Sequence, residues 1–234
     1  MEVITKNLPF LLTGMFPDGP IGGLALTICL SVSIGLASLC VGVMFATASL
    51  VRFQPLRWLA RGMSIGIRGV PALAFLFWMY FLVPRLLQIN ISPLHSAGIA
   101  LAIYHGAYMG EDIRGGIQSI ARGQWEAAHA SGLGFVAMMR HVILPQAVRG
   151  VLPALINRFV NLFMYTSVVS VLGILEFTRA AVLINNRELV YSLQIFGFVG
   201  LVYFVFCYLL SRLGRHLEHR WSWAARIGGM QAAA

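Results

Sequence analysis

From Ile21 to Leu50 the chain runs thirty residues without an Asp, Glu, Lys, Arg or His. About 20 consecutive apolar residues suffice for a helix to span the hydrocarbon of a bilayer. In lipid a helix satisfies all of its own backbone polar groups. The stretch therefore predicts a first transmembrane span. Its small residues Ser38, Gly42 and Ala46 recur at every fourth position, as do Ser31 and Gly35. That spacing lets a second helix backbone approach closely in lipid, so the span is expected inside a bundle.

Four further spans are predicted at 64–87, 95–117, 147–175 and 189–213, giving one all-α polytopic transmembrane domain over residues 1–234. Hydrophobic residues make up 59% of the chain and charged ones 11%, far from the usage of a soluble domain. The second span is entered through Ile67-Arg68-Gly69-Val70-Pro71, where Pro71 lacks an amide donor and bends or starts the helix. Residues 1–20, with Pro9, Pro17 and Asp18-Gly19-Pro20, read as an interfacial segment and a turn rather than a cleavable leader. The aromatics of the fifth span, Tyr191 to Tyr208, are expected to face lipid, and Trp221 and Trp223 to anchor the tail at the interface. Cys29, Cys40 and Cys207 sit in apolar runs without disulfide or metal spacing and read as small packing residues.

The net charge of +9 is not a nucleic-acid footprint, because its cations punctuate membrane spans. The loops after spans one and three and the C-terminal tail hold twelve of them: Arg52, Arg57, Arg61, Arg68, Arg114, Arg122, Arg140, Arg149, Arg212, Arg215, Arg220 and Arg226. The opposite side holds only Lys6, Arg85, Arg179 and Arg187. The positive-inside rule then puts the N-terminus outside and the C-terminus inside.

That places the longest polar interruption, Gln124 to Pro145, in the cytoplasm. Trp125 to Ser131 contains no Gly or Pro and predicts a short helix, which Gly132 and Gly134 stop; the element is expected over 124–134. Glu126 lies in its first turn, where the helix dipole favours an acid. Ala127, Ala128 and Ser131 share one face, small enough for another surface to come close.

The segment GQWEAAHASGLG, followed by VILPQAVRGVLPALIN, resembles the cytoplasmic signature of permease subunits of bacterial ATP-binding-cassette importers, in the polar amino acid branch. IRGVPALAFLFWMYFLVP, AYMGEDIRGGIQSIARGQ and YTSVVSVLGILEF match in order, so the resemblance covers roughly residues 20–215. It implies a five-helix subunit of the type I importer fold in the bacterial inner membrane. It also implies a second permease subunit, identical or homologous, two ATPase subunits and an external solute-binding protein. ATPase coupling then falls to Gln124, Glu126, Ala127, Ala128, Gly132, Leu144 and Pro145. The chain has no phosphate-binding Gly-x-x-x-x-Gly-Lys-Ser/Thr loop. It is expected to be no enzyme by itself and to bind no cofactor, with ATP and Mg on the partner ATPase. ATPase closure would move spans three and four as rigid levers.

Arg158 lies nine residues beyond Arg149, about 14 Å along the helix and near the bilayer centre. A guanidinium there costs at least about 2.5–3.5 kcal/mol, so it needs a partner or a function. Glu111 and Glu176 are the candidate partners, and the alternative is a translocation cavity in which Arg158 holds a solute carboxylate. Asn157 and Asn161 flank it, and Thr166 and Ser167 add hydroxyls two turns on. Members of the resembled family often carry Lys-Asp before that Thr-Ser pair, where this chain has Met164-Tyr165. An acid lost and Arg158 gained favours an acidic solute, glutamate- or aspartate-like; the same departure also fits the non-binding half of a heterodimeric pore or another amino acid. Glu111 and Arg114 are expected to pair at i, i+3, and His105 to be a hydrogen-bonded packing residue. A stand-alone secondary carrier predicts internal repeats and more intramembrane acids. An intramembrane enzyme predicts a nucleophile–base pair or metal cluster. Neither pattern is present in the sequence.

Overall fold

A computed structural model describes the backbone of residues 2–231 and the side chains of residues 3–216. Nine helices carry the described chain: α1 (Glu2–Thr13), α2 (Gly23–Leu50), α3 (Gln54–Arg68), α4 (Ala72–Leu87), α5 (Pro93–Gln118), α6 (Arg122–Ala130), α7 (Phe135–Leu172), α8 (Phe177–Arg187) and α9 (Ser192–Gln231). Short π turns interrupt α4 at Trp78–Leu82 and α7 at Met139–Ile143, and α7 tightens into a 3-10 helix over Thr166–Leu172.

The pairing of α2 with α5 is the most extensive in the bundle. Thr27, Ser31, Gly35, Ser38, Gly42 and Ala46 are buried along one stripe of α2, as the small-residue repeat predicts. A Cβ on Gly42 would sit 2.9 Å from Met109 Cβ and 3.1 Å from the Gly110 backbone nitrogen. One on Gly110 would sit 2.8 Å from Phe45 Cβ. Only glycine permits that approach, which brings backbone against backbone.

Three described helices, Gly23–Leu50, Phe135–Leu172 and Leu189–His216, are long and apolar enough to cross a membrane. Gln54–Arg68 and Ala72–Leu87 form a fourth crossing when taken as one broken span bent by 108°. The expected span at 64–87 is thus divided. Residues 64–68 end α3, Gly69 caps it, and Pro71 starts the next helix at the predicted break. Helix α5 runs 26 residues, opened by Pro93 at its first position and by the Ser92 hydroxyl, which accepts the His95 N–H at 3.4 Å. Its charged end, with Glu111, Asp112 and Arg114, sets it apart from the apolar helices.

Several expectations change. The helix that carries the expected fourth span begins at Phe135, upstream of 147, because Leu144-Pro145 sits inside one continuous helical run whose preceding π turn accommodates the missing amide. The polar interlude 176–188 contains α8, whose Phe177, Ala180, Ala181 and Ile184 pack with Leu11 of α1 and with Ile195 and Val199 of α9. The aromatics of α9 do not all face lipid. Tyr203 meets Phe163 edge-on at 5.5 Å, Phe206 stacks on Phe163 at 5.4 Å, and Phe198 meets Phe177; Phe196, Phe204 and Tyr208 remain exposed. Cys29 and Cys40 are exposed on α2 rather than packed. The expectations for Arg220, Trp221, Trp223 and Arg226 fall outside the described side chains.

Candidate functional site

Helices α5 and α7 run antiparallel, and each presents one stripe of polar residues to the other. On α5 the stripe is Tyr104, His105, Tyr108 and Asp112; on α7 it is Arg158, Asn161 and Tyr165, at i, i+3 and i+7. The register follows from the contacts. Asp112 pairs with Arg158, and seven residues back along α5, His105 meets Tyr165, seven residues on along α7.

The partner of Arg158 is therefore Asp112, not Glu111 or Glu176. Its Nε donates to Asp112 Oδ2 at 2.7 Å and its Nη2 to Oδ1 at 3.2 Å, a bidentate fork. The guanidinium carbon also lies 4.8 Å from the centre of the Tyr108 ring, close enough for a cation–π contact. Glu111 faces another way. It accepts from Arg114, as the i, i+3 spacing predicts, and lies 3.6 Å from Arg68 of α3. Two adjacent acids on one helix point about 100° apart, so each finds a different cation.

Between the stripes lies a cavity of about 200 Å³ lined by Tyr104, His105, Tyr108, Arg158, Asn161 and Tyr165. One water needs about 10–15 Å³ of such space, so the cavity has room for one small solute. Tyr104, His105 and Tyr165 form an aromatic cluster, with His105 at 5.6 Å from Tyr104 and 5.2 Å from Tyr165, both edge-on. His105 is buried, and its Nε2 has no hydrogen-bond partner among the described residues, contrary to the expected satisfied packing histidine. A buried nitrogen left so costs about 1–3 kcal/mol.

The remaining residues expected in the pathway lie elsewhere. Asn157 is exposed and outside the cavity lining. Thr166 is fully buried and donates to the Phe163 carbonyl at 2.7 Å, and Ser167 donates to the Met164 carbonyl at 2.7 Å. Both hydroxyls serve their own helix. Tyr104, Tyr108 and Asp112 were missed from the sequence. Their signal was spacing, since 104, 108 and 112 form one stripe at successive steps of four.

Glu176 occupies a different setting, at the N-terminus of α8 and fully buried. Its carboxylate accepts the backbone N–H groups of Arg179 and Thr178 at 2.8 and 3.0 Å, and the Thr27 and Tyr203 hydroxyls at 3.3 Å each. Burial pushes its carboxyl above the ordinary range, against the opposing pull of those four donors.

In the 124–145 stretch, α6 spans Arg122–Ala130, somewhat earlier than expected, and Gly132 at φ +74° turns the chain back. Ala128 is buried against Ile117, Met138, Ile143 and Ala147 of the same chain, so it does not belong to an outward small-residue face. Gln124, Glu126 and Ala127 are exposed, as are Leu144 and Pro145. Gln146 Nε2 donates to Gln124 Oε1 at 3.0 Å, tying the start of α6 to α7. Among the described residues no group of His, Cys, Asp and Glu has the arrangement of a metal site.

Residues 38–223 match the family described as binding-protein-dependent transport system inner membrane component. The chain is 36% identical over 224 residues to the glutamate/aspartate import permease protein GltK of Escherichia coli O157:H7, covering 93% of this chain and 96% of that one. It is 35% identical over 199 residues to the L-cystine transport system permease protein TcyB of Bacillus subtilis strain 168, covering 85% of each. A crystal structure of an amino acid ABC transporter with histidines superposes with a TM-score of 0.82 at 30% identity, covering 93% of this chain and 96% of that chain. A transmembrane helical bundle, an exposed helix in the loop between two of its members and a family match over most of the chain agree: this protein belongs to the binding-protein-dependent inner membrane components, as a multi-pass amino acid ABC transporter permease of the inner membrane.

Proposed function

We propose that the chain is the permease subunit of an ATP-driven importer of polar amino acids, with an acidic amino acid favoured. In this reading it forms one transmembrane domain with five crossings, N-terminus outside and C-terminus inside. It pairs with a second permease subunit, receives solute from an external binding protein, and is driven by two ATPase subunits that carry the ATP and Mg. Helix α6 transmits their closure through exposed Gln124, Glu126 and Ala127, while the Gly132 turn and Leu144-Pro145 link it to α7.

The observation that carries the solute reading is Arg158 in a cavity whose nearest acid is already spent. Asp112 is committed to Arg158 by two hydrogen bonds, so no carboxylate among the lining residues is left to receive a cationic side chain. Arg158 keeps further N–H donors for a solute carboxylate. The likeness to the permease named for glutamate and aspartate supports the acidic preference. A net-neutral amino acid is the second reading, favoured by Asp112 itself, which cancels the charge of Arg158, and by the likeness to the permease named for cystine.

Uptake of labelled glutamate, glutamine and arginine by the assembled transporter tests it. Arg158→Ala is expected to reduce glutamate uptake by at least about tenfold, the loss of one charge-assisted contact of about 1.5–3 kcal/mol. Unchanged glutamate transport in that variant sinks the reading. Co-purification separates it from a stand-alone carrier, because a permease subunit brings down a soluble ATPase.

A further inference from the structure

The cavity has two unlike ends. At one, Arg158, Asp112 and Tyr108 form an ionic floor, with two of the guanidinium's five N–H donors committed to Asp112. At the other, His105 is buried between the rings of Tyr104 and Tyr165 with Nε2 unpartnered among the described residues. Asn161, one turn from Arg158 on the same face, lines the wall between them. Seven residues separate Asp112 from His105 on α5 and Arg158 from Tyr165 on α7. At 1.5 Å per residue both stripes give about 10 Å between floor and roof, a span matched to one amino acid with a side chain of two or three carbons and a terminal oxygen.

We propose that His105 is a specificity-determining residue that contacts the solute: its Nε2 hydrogen-bonds the side-chain oxygen of an amino acid whose opposite end is held at Arg158. This rests on the cavity being the seat of the solute. The geometry explains why the nitrogen is left without a protein partner, since a group satisfied within the bundle has nothing to offer cargo. It also separates two tasks. Arg158 supplies an anchor for a carboxylate, and His105 supplies a single directional contact that a solute lacking a side-chain oxygen cannot return.

Equilibrium binding of labelled L-glutamate and L-glutamine to the complete permease–ATPase assembly in nanodiscs, without the external binding protein, tests the proposal. His105→Gln keeps a donor nitrogen near the Nε2 position and is expected to bind both probes within about threefold of the parent. His105→Asn and His105→Leu lose that atom, and their dissociation constants are expected to rise about five- to tenfold, the loss of one hydrogen bond. All variants are first shown to assemble with the ATPase. Equal binding by all three variants and the parent overturns the proposal, and so does a loss in His105→Gln as large as in His105→Leu, which marks a packing role. Arg158→Ala is measured alongside. Weakened binding there with no effect at His105 overturns only the role of His105, whereas no effect at either residue removes the cavity as the seat.

Discussion

Glu176 and Arg158 are both ionisable residues within a largely apolar bundle, yet their surroundings differ in kind. Glu176 is enclosed, and both of its oxygens accept hydrogen bonds from α2, α8 and α9. Arg158 is a third exposed, spends two donors on Asp112, and opens onto a cavity beside a histidine nitrogen that has no partner among the described residues. A completed network holds one arrangement, because any displacement strands a desolvated group. An incomplete one has capacity for a molecule that comes and goes. The Glu176 cluster is thus a fixed corner of the fold, and the cavity is the part with chemistry left to give.

Substitutions at the two places should separate along that line. Glu176→Ala strands the backbone N–H groups of Thr178 and Arg179, while the Thr27 and Tyr203 hydroxyls keep the Gly23 carbonyl and the Thr178 hydroxyl, and is expected to cost about 2–3 kcal/mol. That corresponds to a fall of about 5–10 °C in melting temperature for a chain of this size, with the glutamate-to-glutamine uptake ratio unchanged; a changed ratio breaks the distinction. Asp112→Asn acts the other way round. It leaves the charge of Arg158 uncancelled and is expected to raise that ratio about tenfold in competition assays, equivalent to about 1.4 kcal/mol.

The pH dependence of stability is a gentler probe of the corner. Because the folded-state carboxyl of Glu176 titrates above its unfolded value, the native protein keeps this proton at a pH where the unfolded chain has released it. Its contribution is therefore complete on the acid side and is lost as pH rises through the raised value. Glu176→Gln does not titrate. The melting temperature of the parent minus that of this variant is expected to shrink from acid to neutral pH, and a difference that grows refutes the assignment. The smallest effect belongs to the loop. Glu126→Lys, at an exposed position, is expected to reduce ATPase recovery in co-purification by about two- to fivefold, in keeping with about 0.2–1 kcal/mol for an exposed ion pair. Ala128→Trp, by contrast, fills a buried position and is expected to lower the melting temperature of the permease itself.

The sequence made the apolar spans legible because lipid imposes length and charge rules on local stretches. The α2–α5 contact was legible on one side only, from the repeat of small residues in α2. The break at Pro71 could be located, but not the sharp turn between α3 and α4, since proline marks a discontinuity without giving its angle. Helix α8 was hidden because Arg179, Asn185 and Asn186 make 176–188 look like a loop, although Ala180, Ala181 and Ile184 carry a helical stripe. Asp112 was hidden for another reason. It lies 46 residues from Arg158, and the neighbouring Glu111 was the more conspicuous acid beside Arg114. His105 gave no local sign of being unpartnered, because hydrogen-bond satisfaction is a property of packing that no window of sequence contains.

The π turn at Met139–Ile143 has a consequence for the cavity some 20 residues away. A π turn is one extra residue in a helical run, and one residue is about 100° of rotation. It therefore sets the phase between the part of α7 that packs near α6, through Met138 and Ile143, and the part that carries Arg158, Asn161 and Tyr165. Removing a single residue there would keep the helix and its sequence motifs while rotating the cavity stripe by roughly a quarter turn, away from Asp112. The timing of side chains around the α7 axis is thus written into the turn beside the loop helix, where a small change in winding becomes a change in which residues face the cavity.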